Sequence, residues 1–182
     1  MGIIKLTIVV PLMKRKINNP EIQSAPTEQR LLMLWNRFGS NTAGRWLFNR
    51  LLSRAVPYSG SIHPEIQKLT PGFVEVCIKD RRKVRNHLHC IHAIALANLG
   101  ELASGLAMLS ALPHSTKAIV THIEMEYLKK ARGKLTAIGL ADPPENLTTS
   151  IDVLVHAEIK NQEGIIVAVA HVLWRLAPRE PR

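Results

Sequence analysis

Apolar and polar residues alternate with different periods in different parts of the chain. In "TEQRLLMLWNRF" (27–38) apolar positions 31, 34, 35 and 38 mark one face of a helix, with Thr27 as a candidate cap. Gly39 breaks that pattern. Ser40 or Asn41 can then cap a second helix, "TAGRWLFNRLLSRAV", which Pro57 stops. "SIHPEIQKLTPGFVEVCIKD" alternates in short pieces around Pro64, Pro71 and Gly72, which predicts two strands joined by a turn. Residues 91–111 predict a long helix, apolar on every face. Strand patterns return at 117–128, 134–141, 149–160 and 165–176, separated by "KKARG", "DPPEN" and "NQEG". The order is two helices, two strands, one buried helix and four strands in meander. It predicts an α+β fold with an antiparallel sheet, not a doubly wound parallel one.

At 182 residues the chain fits one principal domain with an extension. Residues 1–26 read as an N-terminal arm and linker, 27–56 as a helical extension and 57–182 as the sheet-and-helix domain. The opening "MGIIKLTIVVPLM" is apolar but short, and its basic "KRK" follows where a secretory signal needs it in front. We read it as a strand or docking arm. No apolar run reaches the length of about 20 residues that spans a bilayer. Two cysteines, Cys77 and Cys90, make no disulfide framework, and the expected setting is the reducing cytoplasm. The net charge of +10 is uneven: residues 1–85 carry 15 Lys+Arg against 5 Asp+Glu, and residues 86–182 carry 9 of each. Such a field draws polyanions, including phosphate-bearing metabolites, or is simply a solvated basic face.

The long helix concentrates the chemistry. From Asn86 to Thr116 the sole formal charge, histidines aside, is Glu101. Ten of the nineteen residues from Ala93 to Ala111 are Ala, Gly or Ser, which lets a sheet approach closely. No lysine or arginine lies one turn from Glu101 to neutralise it. A buried, unpaired carboxylate raises its pKa, which suits a general base; otherwise Glu101 reaches solvent or a distant arginine. The helix start offers unpartnered backbone N–H groups as an oxyanion cradle, crowded by Asn86, His89 and His92. Eight residues of helical rise separate Ala93 from Glu101 by about 12 Å. One chain therefore cannot bring both to one atom, whereas a two-fold dimer with antiparallel central helices can.

"HLHCIH" (87–92) has a spacing that can ligate zinc, but no second cluster supplies the remaining ligands, so no metal or cofactor is expected. His63, His114, His122, His156 and His171 read as ordinary strand and loop histidines.

Asn86, His92 and Glu101 in this order of elements resemble the hotdog-fold acyl-CoA thioesterases, of the phenylacetate-pathway type and its relatives of undefined function. "YLKKARGKLTA" (127–137) is similar to that superfamily's strand–kink–strand segment, and "EIKNQEGIIVAVAHVLWRL" to its closing hairpin. The resemblance covers residues 58–177 and implies a hotdog domain with acyl-CoA as substrate. It implies Glu101 as general base or nucleophile, Asn86 positioning water or the carbonyl, and His92 orienting the site. The backbone N–H of Ala93 would hold the oxyanion. It further implies a homodimer, or a dimer of dimers, with sites at the subunit interface. Two features depart from the family: Ala93 and Ile94 stand where Gly-Gly is common, and His89 where a glycine is common. His89, Lys129, Lys130 and Arg132 are candidates to meet coenzyme A.

Two other functions fit the same fold. A hydroxyacyl-thioester dehydratase would use His87, fourteen residues before Glu101, but the proline- and glycine-rich stretch of those enzymes is missing from "LHCIHAIALANLG". A non-catalytic acyl-CoA-binding protein would keep Glu101 as a satisfied acid. Nucleic-acid binding rests on charge alone, since only 8 aromatic residues serve the whole chain.

Overall fold

The computed structural model describes residues 27–179, so the arm and linker read from 1–26 lie outside it. The two N-terminal helices, α1 (Thr27–Phe38) and α2 (Thr42–Ala55), form where the pattern predicts them. Asn41 caps α2, its Oδ1 accepting from the Gly44 N–H at 2.8 Å. Pro57 opens one further turn, α3 (Pro57–Gly60), at a position where its missing N–H is not required. Leu31, Leu34, Trp35, Phe48 and Leu52 bury the apolar faces of α1 and α2 in the same core as the sheet. Asn49 fastens α2 to the first strand by accepting from the Ile66 N–H at 2.8 Å.

Six antiparallel strands follow: β1 (Glu65–Thr70), β2 (Phe73–Ile78), β3 (Thr116–Tyr127), β4 (Leu135–Leu140), β5 (Ile151–Lys160) and β6 (Ile166–Pro178). They form one sheet in the order β1-β2-β4-β5-β6-β3. The expected four-strand meander therefore holds only for β4, β5 and β6. β3 does not lie beside β4; it pairs with β6, with Ile123 opposite Val172 and Tyr127 opposite Ala168, and so forms an edge. Alternation determines which side chains of a strand are buried but not which strand lies beside it.

The central helix, α4 (Ala93–Ala111), lies against one face of this sheet with Leu99, Ala103, Ala107 and Met108 fully buried. It begins two residues later than the pattern suggested. Ile91 N–H donates to Ala131 at 2.8 Å and His92 N–H to Val84 at 2.7 Å, so both residues are tied sideways before the first turn. The small residues admit close contact. A Cβ on Gly100 would run into the Ala170 methyl on β6, and one on Gly139 would meet the Ala103 carbonyl. Among the described residues α4 is the one helix long and apolar enough to cross a membrane, and most of it is covered by the sheet.

Candidate active site

The residues expected at the helix start come together. Asn86 organises the loop ahead of α4: its Oδ1 accepts from the N–H of Leu88 at 2.9 Å and of Cys90 at 3.1 Å. Its own N–H donates to the Cys90 carbonyl at 2.8 Å. With Oδ1 committed to the loop, Nδ2 is the group left to face a substrate. His92 is the N-cap of α4, and its Nδ1 accepts from the Ile94 N–H at 3.1 Å. That bond takes one first-turn donor out of service, while the Ala93 N–H lies outside it. Tyr127 on β3 donates its hydroxyl to the Ala93 carbonyl at 3.2 Å, tying the edge strand to the helix start. His89 sits at φ 54°, in the left-handed region that glycine occupies without strain. This accounts physically for the glycine common at that place in the family it resembles.

Lys129, Lys130 and Arg132 lie exposed on the loop that follows β3. Ala131, in the middle of that loop, accepts from the Ile91 N–H, so the basic loop runs beside the start of α4. Asp80 braces the same region, accepting from Arg85 at 2.6 Å and from the Gly133 N–H at 2.9 Å. Burial raises the Asp80 carboxyl, but the bonds from Arg85 and Gly133 outweigh it and hold the group below its ordinary value.

Glu101 lies further along α4, in a cavity of about 410 Å³ lined by Tyr58, Ile94, Ala97, Asn98, Val120 and Ile123. That size falls within the range of small-molecule sites. Its carboxyl is pushed up from the ordinary value by burial alone, with no opposite charge offsetting it. Three walls meet here: α4, the inner face of edge strand β3, and α3 through Tyr58. Ile94 belongs to the first turn of α4, so the cavity runs from the helix start to Glu101 along one helix face.

Asn98 was not among the expected site residues. It is 8% exposed, and its Nδ2 donates to the Tyr58 carbonyl at 3.2 Å, while its Oδ1 is buried without a partner. Its spacing of three from Glu101, inside an otherwise apolar run, was the signal available in the sequence.

The histidines of the sheet are less scattered than they read. His156 on β5 stands opposite His171 on β6, with their Nδ1 atoms 2.7 Å apart, and His171 Nε2 lies 2.9 Å from Glu126 on β3. Their neighbours Val155, Ala157, Ala170 and Val172 are buried against α4, so this chain occupies the opposite face of the sheet. Among the described residues no group of three or more His, Cys, Asp or Glu side chains is placed to hold a metal ion.

No curated protein matches this sequence. Solved structures do. A structural-genomics target is 28% identical, covers 82% of this chain and 98% of its own, and superposes with a TM-score of 0.71. A thioesterase from Haemophilus influenzae is 18% identical, covers 71% of this chain and 87% of its own, with a TM-score of 0.60. A hypothetical thioesterase from Streptococcus pneumoniae, solved with coenzyme A, is 25% identical, covers 64% of this chain and 91% of its own, with a TM-score of 0.53. The fold is that of the hotdog thioesterases. Residues 44–176 match the family model described as a domain of unknown function (DUF4442), and the chain belongs to that family.

Proposed function

We propose that the protein is an acyl-CoA thioesterase acting as a homodimer. One observation carries the reading: a buried carboxylate without a counter-charge, Glu101, opens into a ligand-sized cavity on the face of the central helix. A carboxyl raised by burial holds its proton more tightly than an exposed one, which makes its carboxylate a stronger proton acceptor. Glu101 serves as general base or nucleophile toward the thioester carbonyl. The Ala93 N–H and the Asn86 Nδ2 stabilise the oxygen as it gains charge. As general base, Glu101 takes a proton from the attacking water and passes it to the thiolate when the carbon–sulfur bond breaks. As nucleophile, it forms a mixed anhydride as that bond breaks and the thiolate takes its proton from water; a second water then cleaves the anhydride to the acid and free Glu101. The bound coenzyme A of the Streptococcus pneumoniae structure supports a thioester of that carrier as ligand. His89, Lys129, Lys130 and Arg132, exposed around the helix start, are suited to its phosphates.

The separation of about 12 Å between Ala93 and Glu101 assigns the two halves of the site to different subunits. Edge strand β3 supports this. Ile123 and Tyr127 on its inner face are 41% and 49% exposed although they flank the cavity and the helix start. A second copy laid along β3 would cover them.

The test is thiol release from a panel of acyl-CoAs by the wild-type protein and Glu101→Gln. A loss of about 10²- to 10⁴-fold in kcat is expected for the variant. Equal rates would end the assignment of Glu101. Tight acyl-CoA binding by the wild-type protein with no thiol released would favour the non-catalytic carrier.

A further inference from the structure

The cavity holds a second polar group that the proposed reaction leaves unused. Asn98 is one helical turn before Glu101 and lines the same cavity. Its amide orientation is not arbitrary: the Tyr58 carbonyl accepts only, so it must face Nδ2, which leaves Oδ1 as a buried acceptor without a donor. Ser104 and Ser110, buried on the same helix, both donate to carbonyls. An unsatisfied oxygen is costly to bury, and the residue that carries it lines the same cavity as Glu101, so a donor brought in with the ligand would relieve the cost.

We infer that Asn98 positions the hydrolytic water, its Oδ1 accepting one hydrogen of that water while the Glu101 carboxylate accepts the other. Two acceptors one turn apart determine where both hydrogens point, and thereby turn the oxygen lone pair toward the thioester carbonyl. The inference rests on the thioesterase reading and narrows it: Glu101 acts as general base and not as nucleophile. The step balances. Water adds to the carbonyl carbon, its proton passes to Glu101, the carbon–sulfur bond breaks, and the proton goes to the departing thiolate. The products are the carboxylic acid and free coenzyme A. Tyr58 and Glu101 are the titratable side chains of the lining; Ile94, Ala97, Val120 and Ile123 carry no charge.

The experiment compares the wild-type protein with Asn98→Ala and Asn98→Asp, each checked for its melting temperature, on the best acyl-CoA of the panel. Asn98→Ala should lower kcat by about 10²-fold while KM stays within about threefold. Asn98→Asp keeps an acceptor at the same place but adds a second carboxylate beside Glu101. It should recover part of kcat while moving the rising limb of the pH–rate profile to higher pH. A purely structural asparagine would give neither the recovery nor the shift. In water enriched in ¹⁸O, a single turnover should place the label in the released acid and leave Glu101 unlabelled. Wild-type turnover with both variants within twofold of it, or label appearing in Glu101, would overturn the inference while leaving the thioesterase reading intact. A folded wild-type protein that hydrolyses no acyl-CoA would overturn both.

Discussion

Glu101 couples stability to pH, and the sign follows from burial. Its folded-state carboxyl is raised above the ordinary 4.5 because the charged form loses hydration. Between 4.5 and the raised value, the folded chain keeps a proton that the unfolded chain has released. Stability therefore falls as pH rises through that window and stays lower above it. Glu101→Gln removes this dependence. The variant should melt close to the wild type at pH 4 and several degrees higher at pH 8, at about 2–4 °C per kcal/mol for a chain of this size. Calorimetry at the two pH values checks it, and a constant gap would mean that the carboxylate is hydrated in the folded state. Glu101 was legible because a lone charge in an apolar run is energetically conspicuous. Asn98 was not, since a neutral amide there raises no alarm until the Tyr58 carbonyl is seen to occupy its Nδ2. Asn86 stood out by its spacing from His92 and Glu101, but the spacing carried no sign that its Oδ1 is spent on its own loop.

At the scale of elements, periodicity gave the helices and strands because each buries one face and reports it directly. Partner choice was hidden for the same reason. β3 and β4 both alternate, and nothing in either pattern says that β3 pairs with β6 across the sheet while β4 pairs with β2 and β5. The fit of α4 to the sheet is a property of paired surfaces, and, with Gly139, Gly100 is one of its two closest approaches. An added side chain there faces the Ala170 methyl on β6, so neither helix nor sheet can yield without displacing Ile159 and the rest of that layer. Gly100→Val should destabilise the protein by about 2–3 kcal/mol, despite the better helix propensity of valine over glycine. Gly164, with nothing within 4 Å of a built Cβ but a φ of 77°, separates the two glycine roles. Gly164→Ala should cost about 1 kcal/mol through backbone strain alone. Denaturant unfolding of both variants checks the ranking, and equal losses would contradict the packing account of Gly100.

For the whole molecule the open question is whether one polypeptide holds a complete site, and the geometry lets the two answers be told apart. The variants must each remove one half without unfolding it. Glu101→Gln removes the base. Asn86→Asp keeps the Oδ1 acceptor that the Leu88 and Cys90 N–H groups need and puts a charged acceptor in place of the Nδ2 donor. Each variant alone should lose most of its acyl-CoA hydrolysis. If Asn86 of one subunit serves Glu101 of its mate, unfolding and refolding an equal mixture produces heterodimers in which one site pairs two altered residues and the other pairs two native ones. Random pairing makes half the dimers mixed, so about a quarter of wild-type activity should return. If both residues served the same substrate from one chain, every site in the mixture would carry one defect and nothing would return. The same experiment probes β3 as the contact. Adding Ile123→Lys to both partners should prevent recovery and shift the light-scattering mass to that of a monomer, because a lysine there would place charge on an edge that must be covered. Recovery that survived this change would move the subunit contact to another surface while leaving the shared site in place.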